Sequence, residues 1–121
     1  MTPSPKKSPV ILCVEDKPQA LFLRKAVLEK SGYTVVSATS GSEALMLLKA
    51  QHVDLVLSDH HLRGELGTAI AAEMKALKPK VPVLLISGKE DISNATHVDG
   101  LVSKAAGPTQ LLVAIARALR L

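Results

Sequence analysis

Aromatic residues are nearly missing from this chain. They make up 2% of 121 residues, with one Phe, one Tyr and no Trp. A base-stacking platform for single-stranded nucleic acid needs several such rings. Only Phe22 and Tyr33 could serve, so that class is excluded. Cysteine is just as scarce. Cys13 is alone, so no disulfide can form within the chain, and a reducing, cytoplasmic setting is expected. Charge of one sign is not concentrated either. Lys and Arg number 15 against 11 Asp and Glu, a net charge of +4. The basic residues are scattered, with only Lys6-Lys7 and Lys75, Lys78 and Lys80 close together. A nucleic-acid footprint is a dense patch or stripe, so direct nucleic-acid binding is not expected. The N-terminus lacks the apolar core of a signal peptide, and no apolar run approaches membrane-spanning length.

What is present is aliphatic. Hydrophobic residues make up 47% of the chain, enough for one domain with a Leu, Val, Ile and Ala core. Residues 1–8 hold prolines and lysines and read as a disordered leader before a domain over 9–121. Short apolar runs then alternate with longer periodic ones. "VILCV" (10–14), "TVVSAT" (34–39), "VDLVLSD" (53–59), "VPVLLIS" (81–87) and "GLVS" (100–103) read as strands. The first helix opens at Pro18, carries Ala20, Leu23 and Val27 on one face and stops at Gly32. "SGSE" (40–43) is a capping box that opens a second helix with Ala44, Leu47 and Leu48. A third runs from about Thr68 to Leu77, with Ile70, Met74 and Leu77 inward. A last helix starts near Pro108, with Leu112, Ile115, Ala116 and Leu119 at core spacing. Strands alternating with helices predict a parallel sheet covered on both faces.

In such sheets, sites lie beyond the carboxyl ends of the strands. The first strand is followed by Glu15 and Asp16, the third ends on Asp59, the fourth on Ser87-Gly88 and the fifth on Ser103-Lys104. Three carboxylates at neighbouring strand ends repel one another unless a cation is present. Oxygen ligands favour a hard ion such as Mg²⁺. An aspartate beside that ion can attack phosphorus, while a lysine neutralises the moving phosphoryl group and a hydroxyl donates to it. Glu15, Asp16, Asp59, Ser87 and Lys104 thus form a phosphoryl-accepting set.

At this point the chain resembles the receiver domain of two-component response regulators, over roughly residues 9–121. The motifs are "ILCVEDKP", "GYTVVSATSGSEALMLL", "DLVLSDHHLRGELG", "VPVLLISG" and "GLVSK", in that order. The resemblance implies a flavodoxin-like, doubly wound α/β fold with five parallel strands in the order 2-1-3-4-5. It implies Asp59 as phosphoacceptor, Asp16 and Asp59 on Mg²⁺, Glu15 assisting through water and the backbone carbonyl of His61 as a further metal ligand. Ser87 would sense the phosphoryl group, Lys104 would pair with it, and Leu101 occupies the switch position. Expected partners are a sensor histidine kinase or phosphotransfer protein and an output protein, with room for a homodimer. Such a protein signals by changed contacts and is no enzyme beyond its own phosphorylation and dephosphorylation.

Several positions depart from the family pattern. Arg63 replaces a proline, Leu66 an aspartate and Leu101 an aromatic ring. Ala105 follows the lysine where a cis-bonded proline is usual, and a cis bond there would be costly. Seventeen positions separate Ser87 from Lys104, more than a helical turn short of the usual spacing. The fourth helix of the family is therefore expected to be shortened or irregular between Lys89 and Val98. His60 and His61 are adjacent and are expected on different sides of their loop. His61, with Lys89 across from it, is expected to modulate how water or a phosphodonor reaches Asp59. A zinc site on these histidines would need a further ligand, and His52 and His97 are not obviously near. An aspartyl-nucleophile phosphatase would need a second aspartate at position 61, which is histidine. A dinucleotide enzyme would need a Gly-rich turn after the first strand, where Glu-Asp-Lys-Pro stands. The alternative that remains is a receiver-like interaction module that does not switch by phosphorylation.

Overall fold

A computed structural model describes residues 8–88 and 97–121. The expected leader over 1–8 falls almost wholly outside the described residues, and so do most of the expected irregular helix and Lys89. In chain order the elements are β1 (Val10–Val14), α1 (Pro18–Lys30), β2 (Thr34–Ala38), α2 (Gly41–Ala50), β3 (Leu55–Asp59), β4 (His61–Leu62), β5 (Glu65–Leu66), α3 (Gly67–Leu77), β6 (Val83–Ser87), β7 (Gly100–Ser103) and α4 (Pro108–Leu119). Five strands form one parallel sheet in the order β2-β1-β3-β6-β7. Counted without the hairpin, this is the 2-1-3-4-5 order that the family resemblance implies. The hairpin β4-β5 replaces what reads in sequence as a loop.

Side chains alternate across each strand, so one sheet feeds two cores. Leu12, Val14, Val56 and Leu85 pack with Ala44, Leu48, Ile70 and Met74 of α2 and α3. Ile11, Cys13, Leu55, Leu57, Leu84 and Ile86 pack with Leu28 and Ile115 of α1 and α4. Every residue of the central strands β3 and β6 is buried. Each fully buried Leu or Ile side chain stabilises the fold by about 1.5–3 kcal/mol. No helix among the described residues is long and apolar enough to cross a membrane.

The helix ends follow their sequence signals. Ser40 Oγ accepts the Glu43 N–H at 3.1 Å, and Glu43 Oε1 accepts the Thr39 N–H at 2.7 Å. Gly32 sits just beyond α1 at φ +95°, a conformation glycine adopts without a Cβ penalty. The face of α1 differs from expectation. Leu23 is 64% exposed, and the inward residues are Leu21, Arg24 and Leu28. Apolar periodicity selects the wrong stripe because the true one has an arginine in its middle. On α3, Ile70 and Met74 are buried as expected, whereas Leu77 is exposed at the last turn. The strand expected from Val81 begins at Val83, because Pro82 has no N–H for the ladder.

Candidate functional site

The carboxyl edge of the sheet gathers the acidic residues. The Glu15 N–H donates to the Ala38 carbonyl at 3.0 Å, so the ladder holds one residue beyond β1. Glu15 is buried, 2% exposed. Its Oε2 accepts the Asp16 N–H at 3.0 Å, and Arg24 Nη1 lies 3.6 Å from its Oε1. Asp16 is half-buried, and its Oδ1 is buried with no hydrogen-bond partner. Asp59 ends β3 and is 1% exposed. Its Oδ1 accepts the His61 N–H at 3.2 Å, and Lys104 Nζ stands 3.2 Å from its Oδ2. The Lys104 N–H donates to the Ser87 carbonyl at 2.7 Å, so the lysine is anchored across β6 and β7. Ser87 is buried at the end of β6.

The structure thus brings together Glu15, Asp16, Asp59, Ser87 and Lys104 along one edge. Leu101 is on β7 opposite Leu85 and half-exposed. No cis peptide bond occurs among the described residues, so the chain passes from Lys104 to Ala105 in trans.

Crowding shapes the electrostatics. Burial pushes the Glu15 carboxyl above its usual range, and the neighbouring Asp59 charge pushes the same way. Arg24 pulls in the opposite direction. Burial also raises the Cys13 thiol to about 11, so it is not a reactive thiolate near neutral pH.

Gly67 explains how the hairpin and α3 fit beneath Asp59. Its N–H donates to the His60 carbonyl at 2.6 Å. A Cβ there would stand 2.9 Å from His60 Cα and 3.0 Å from the Asp59 carbonyl oxygen. Gly64 makes the hairpin turn at φ +71°. Glu65 turns back from the hairpin, and its Oε1 accepts the Gly41 N–H at 3.0 Å at the start of α2. Sequence reasoning missed this link, and it also missed Arg24.

The histidines depart from expectation. His60 is buried and His61 exposed, yet their rings meet edge to face with centroids 4.7 Å apart. The strand ends at Asp59, so the alternation that would separate neighbours no longer applies. His52 pairs instead with Asp54 at 2.8 Å, at the opposite end of the sheet.

Among the described residues, no group of three or more His, Cys, Asp or Glu side chains is placed to hold a metal ion by itself. A hydrated Mg²⁺ needs only one or two carboxylates and keeps several waters. The partnerless Asp16 Oδ1 and the mutual crowding of Glu15 and Asp59 fit such a cation. Beside them opens a cavity of about 320 Å³, lined in part by Glu15, Lys17, Arg24 and Lys104.

Comparisons with known proteins agree with this geometry. The family model for the response regulator receiver domain matches residues 11–116. The transcriptional regulatory protein GlrR of Escherichia coli is 36% identical over 85 residues, which are 70% of this chain and 19% of that protein. The autoinducer 1 sensor kinase/phosphatase LuxN of Vibrio harveyi is 32% identical over 83 residues, 69% of this chain and 10% of that protein. The chain therefore spans a fifth or less of the length of these two relatives. A CheY-like receiver domain protein from Methanospirillum hungatei superposes with a TM-score of 0.87 at 26% identity, covering 93% of this chain and 94% of the other. The response regulator TrrA of Thermotoga maritima, solved in complex with Mg²⁺ and BeF, gives 0.83 at 25% identity, covering 91% and 98%.

Proposed function

Because this chain belongs to the response regulator receiver domain family, we propose that it takes a phosphoryl group onto Asp59 and signals by changed protein contacts. The observation that carries this reading is the buried Asp59 carboxylate, with Lys104 Nζ 3.2 Å from its Oδ2. The phosphodonor is proposed to be a histidine kinase or phosphotransfer protein in the cytoplasm. An Asp59 carboxylate oxygen bonds to phosphorus as the donor's P–N bond breaks, and the imidazole leaves with a proton. Bound Mg²⁺ would supply charge neutralisation at the phosphoryl oxygens. Asp16, Asp59, Glu15 through water and the His61 carbonyl are the residues proposed to hold it.

The other roles belong to the chain itself. Lys104 moves its ion pair from the carboxylate to the phosphoryl oxygens. Ser87, at the end of the neighbouring strand, donates its hydroxyl to them. The His61 ring, exposed beside Asp59, modulates the approach of water or donor, with Lys89 as its proposed partner.

A second reading is favoured by Leu101 and Ala105. A leucine cannot swing as a ring does, and a trans bond follows the lysine. On that reading the domain is an interaction module that does not switch. Intact mass after incubation with Mg²⁺ and acetyl phosphate separates the two. One added phosphoryl group in the wild type and none in Asp59→Ala is the expected result. No gain in either, and no beryllofluoride binding with Mg²⁺, would make the non-switching module the better account.

A further inference from the structure

Helix α1 turns Leu21, Arg24 and Leu28 toward the sheet, at helical spacing. The flanking positions are aliphatic, and Leu28 is fully buried. An arginine in that stripe loses water, so its charge must be answered inside the protein. The side chain of Arg24 is 15% exposed, and its Nη1 has no hydrogen-bond partner. Its nearest charge is Glu15 Oε1, at 3.6 Å. The other oxygen, Oε2, is taken by the Asp16 N–H. Glu15 is therefore hydrogen-bonded at one oxygen by the backbone and faces the Arg24 charge at the other.

We propose that Arg24 is a positioning residue of the phosphoacceptor site: it clamps Glu15 and balances the charge of the phosphorylated, cation-loaded state. The inference rests on the phosphoacceptor reading given above. In that state Asp59 is esterified and carries no charge of its own. Glu15 and Asp16 contribute one negative charge each, and the phosphoryl group roughly two more. A divalent cation and Lys104 leave this sum one positive charge short. Arg24 supplies it from the cavity that Glu15 and Lys104 also line. Before phosphorylation the same cation opposes the metal, because it already answers Glu15. Arg24 thus favours phosphoryl retention over cation binding.

The test uses the whole chain and two ligands. Mg²⁺ alone is titrated by calorimetry, and beryllofluoride at saturating Mg²⁺ is followed by fluorine NMR. Arg24→Met is expected to bind Mg²⁺ about five-fold tighter and beryllofluoride about five-fold weaker, the reach of one partly solvated charge. Arg24→Lys keeps the charge and is expected to stay near the wild type on both. Should Arg24→Met not fold, Arg24→Gln is read by the same two titrations. Unchanged affinities, or losses in both ligands together with a lower Tm, would reduce Arg24 to packing and overturn the inference alone. A wild type that binds neither ligand overturns the phosphoacceptor reading and this inference with it.

Discussion

The two edges of the sheet both carry aspartates, and they treat them differently. At the amino edge the same device occurs twice. The Asp54 N–H donates to the Val10 carbonyl at 2.8 Å, and Asp54 Oδ2 accepts the Val10 N–H at 2.7 Å. The Asp99 N–H donates to the Val83 carbonyl at 2.8 Å, and Asp99 Oδ2 accepts the Val83 N–H at 2.7 Å. Each carboxylate closes a ring that starts a strand. Each also has a counter-group, His52 for Asp54 and Lys75 for Asp99. At the carboxyl edge Glu15 and Asp59 press on each other, and Asp16 Oδ1 has no hydrogen-bond partner. Carboxylates that find donors hold the fold. Carboxylates that find one another are held by the fold, and they call for a cation.

Gly67→Ala breaks this division, because it is structural and lies at the chemical edge. The added Cβ meets backbone at His60 and Asp59, which cannot rotate away. We expect a loss of about 2 kcal/mol in stability and impaired phosphoryl uptake in the same variant. Urea unfolding and the mass assay check the two halves. Normal uptake with a lowered midpoint would show that Asp59 is positioned independently of α3.

Asp54→Ala sharpens the division. It removes the acceptor of the Val10 N–H, at a cost of about 1.5 kcal/mol. Mg²⁺ affinity and phosphoryl uptake are expected to stay at wild-type values. A change in either would couple the two edges through β1 or β3 and dissolve the contrast.

The same contrast explains what could be read from the sequence. The strand ends at Glu15, Asp59, Ser87 and Lys104 were legible because each closes an apolar run, and chain order alone places them together. The strand order came only from the resemblance to the receiver family. Arg24 was not legible, since its charge partner Glu15 lies beyond the end of β1 and not on α1. Asp54 and Asp99 looked like ordinary polar residues before strands. Their role needs the register of Val10 and Val83, which no local pattern encodes. Glu65 reads in sequence as part of a loop, because its acceptor role depends on the start of α2, 24 positions away. Local signals find a residue's element, whereas side-chain partners belong to the assembled sheet.

The smallest expected effect concerns pH. Burial and the Asp59 charge raise the Glu15 carboxyl above its unfolded value of 4.5. The folded state therefore binds this proton more tightly than the unfolded one. Its contribution to stability is present below 4.5 and is lost as pH rises through the folded pKa. In the presence of a chelator, the Tm of the wild type should accordingly fall more with rising pH than that of Glu15→Gln, because glutamine cannot ionise. Arg24 offsets part of the penalty, which keeps the difference small. Saturating Mg²⁺ should shrink it further, since a cation among the carboxylates favours their ionised form. Thermal unfolding of both proteins across this range, with chelator and with Mg²⁺, checks the expectation. Parallel curves under both conditions would mean that the crowding at the carboxyl edge is relieved by the protein alone, and that the two edges differ in geometry and not in electrostatic tension.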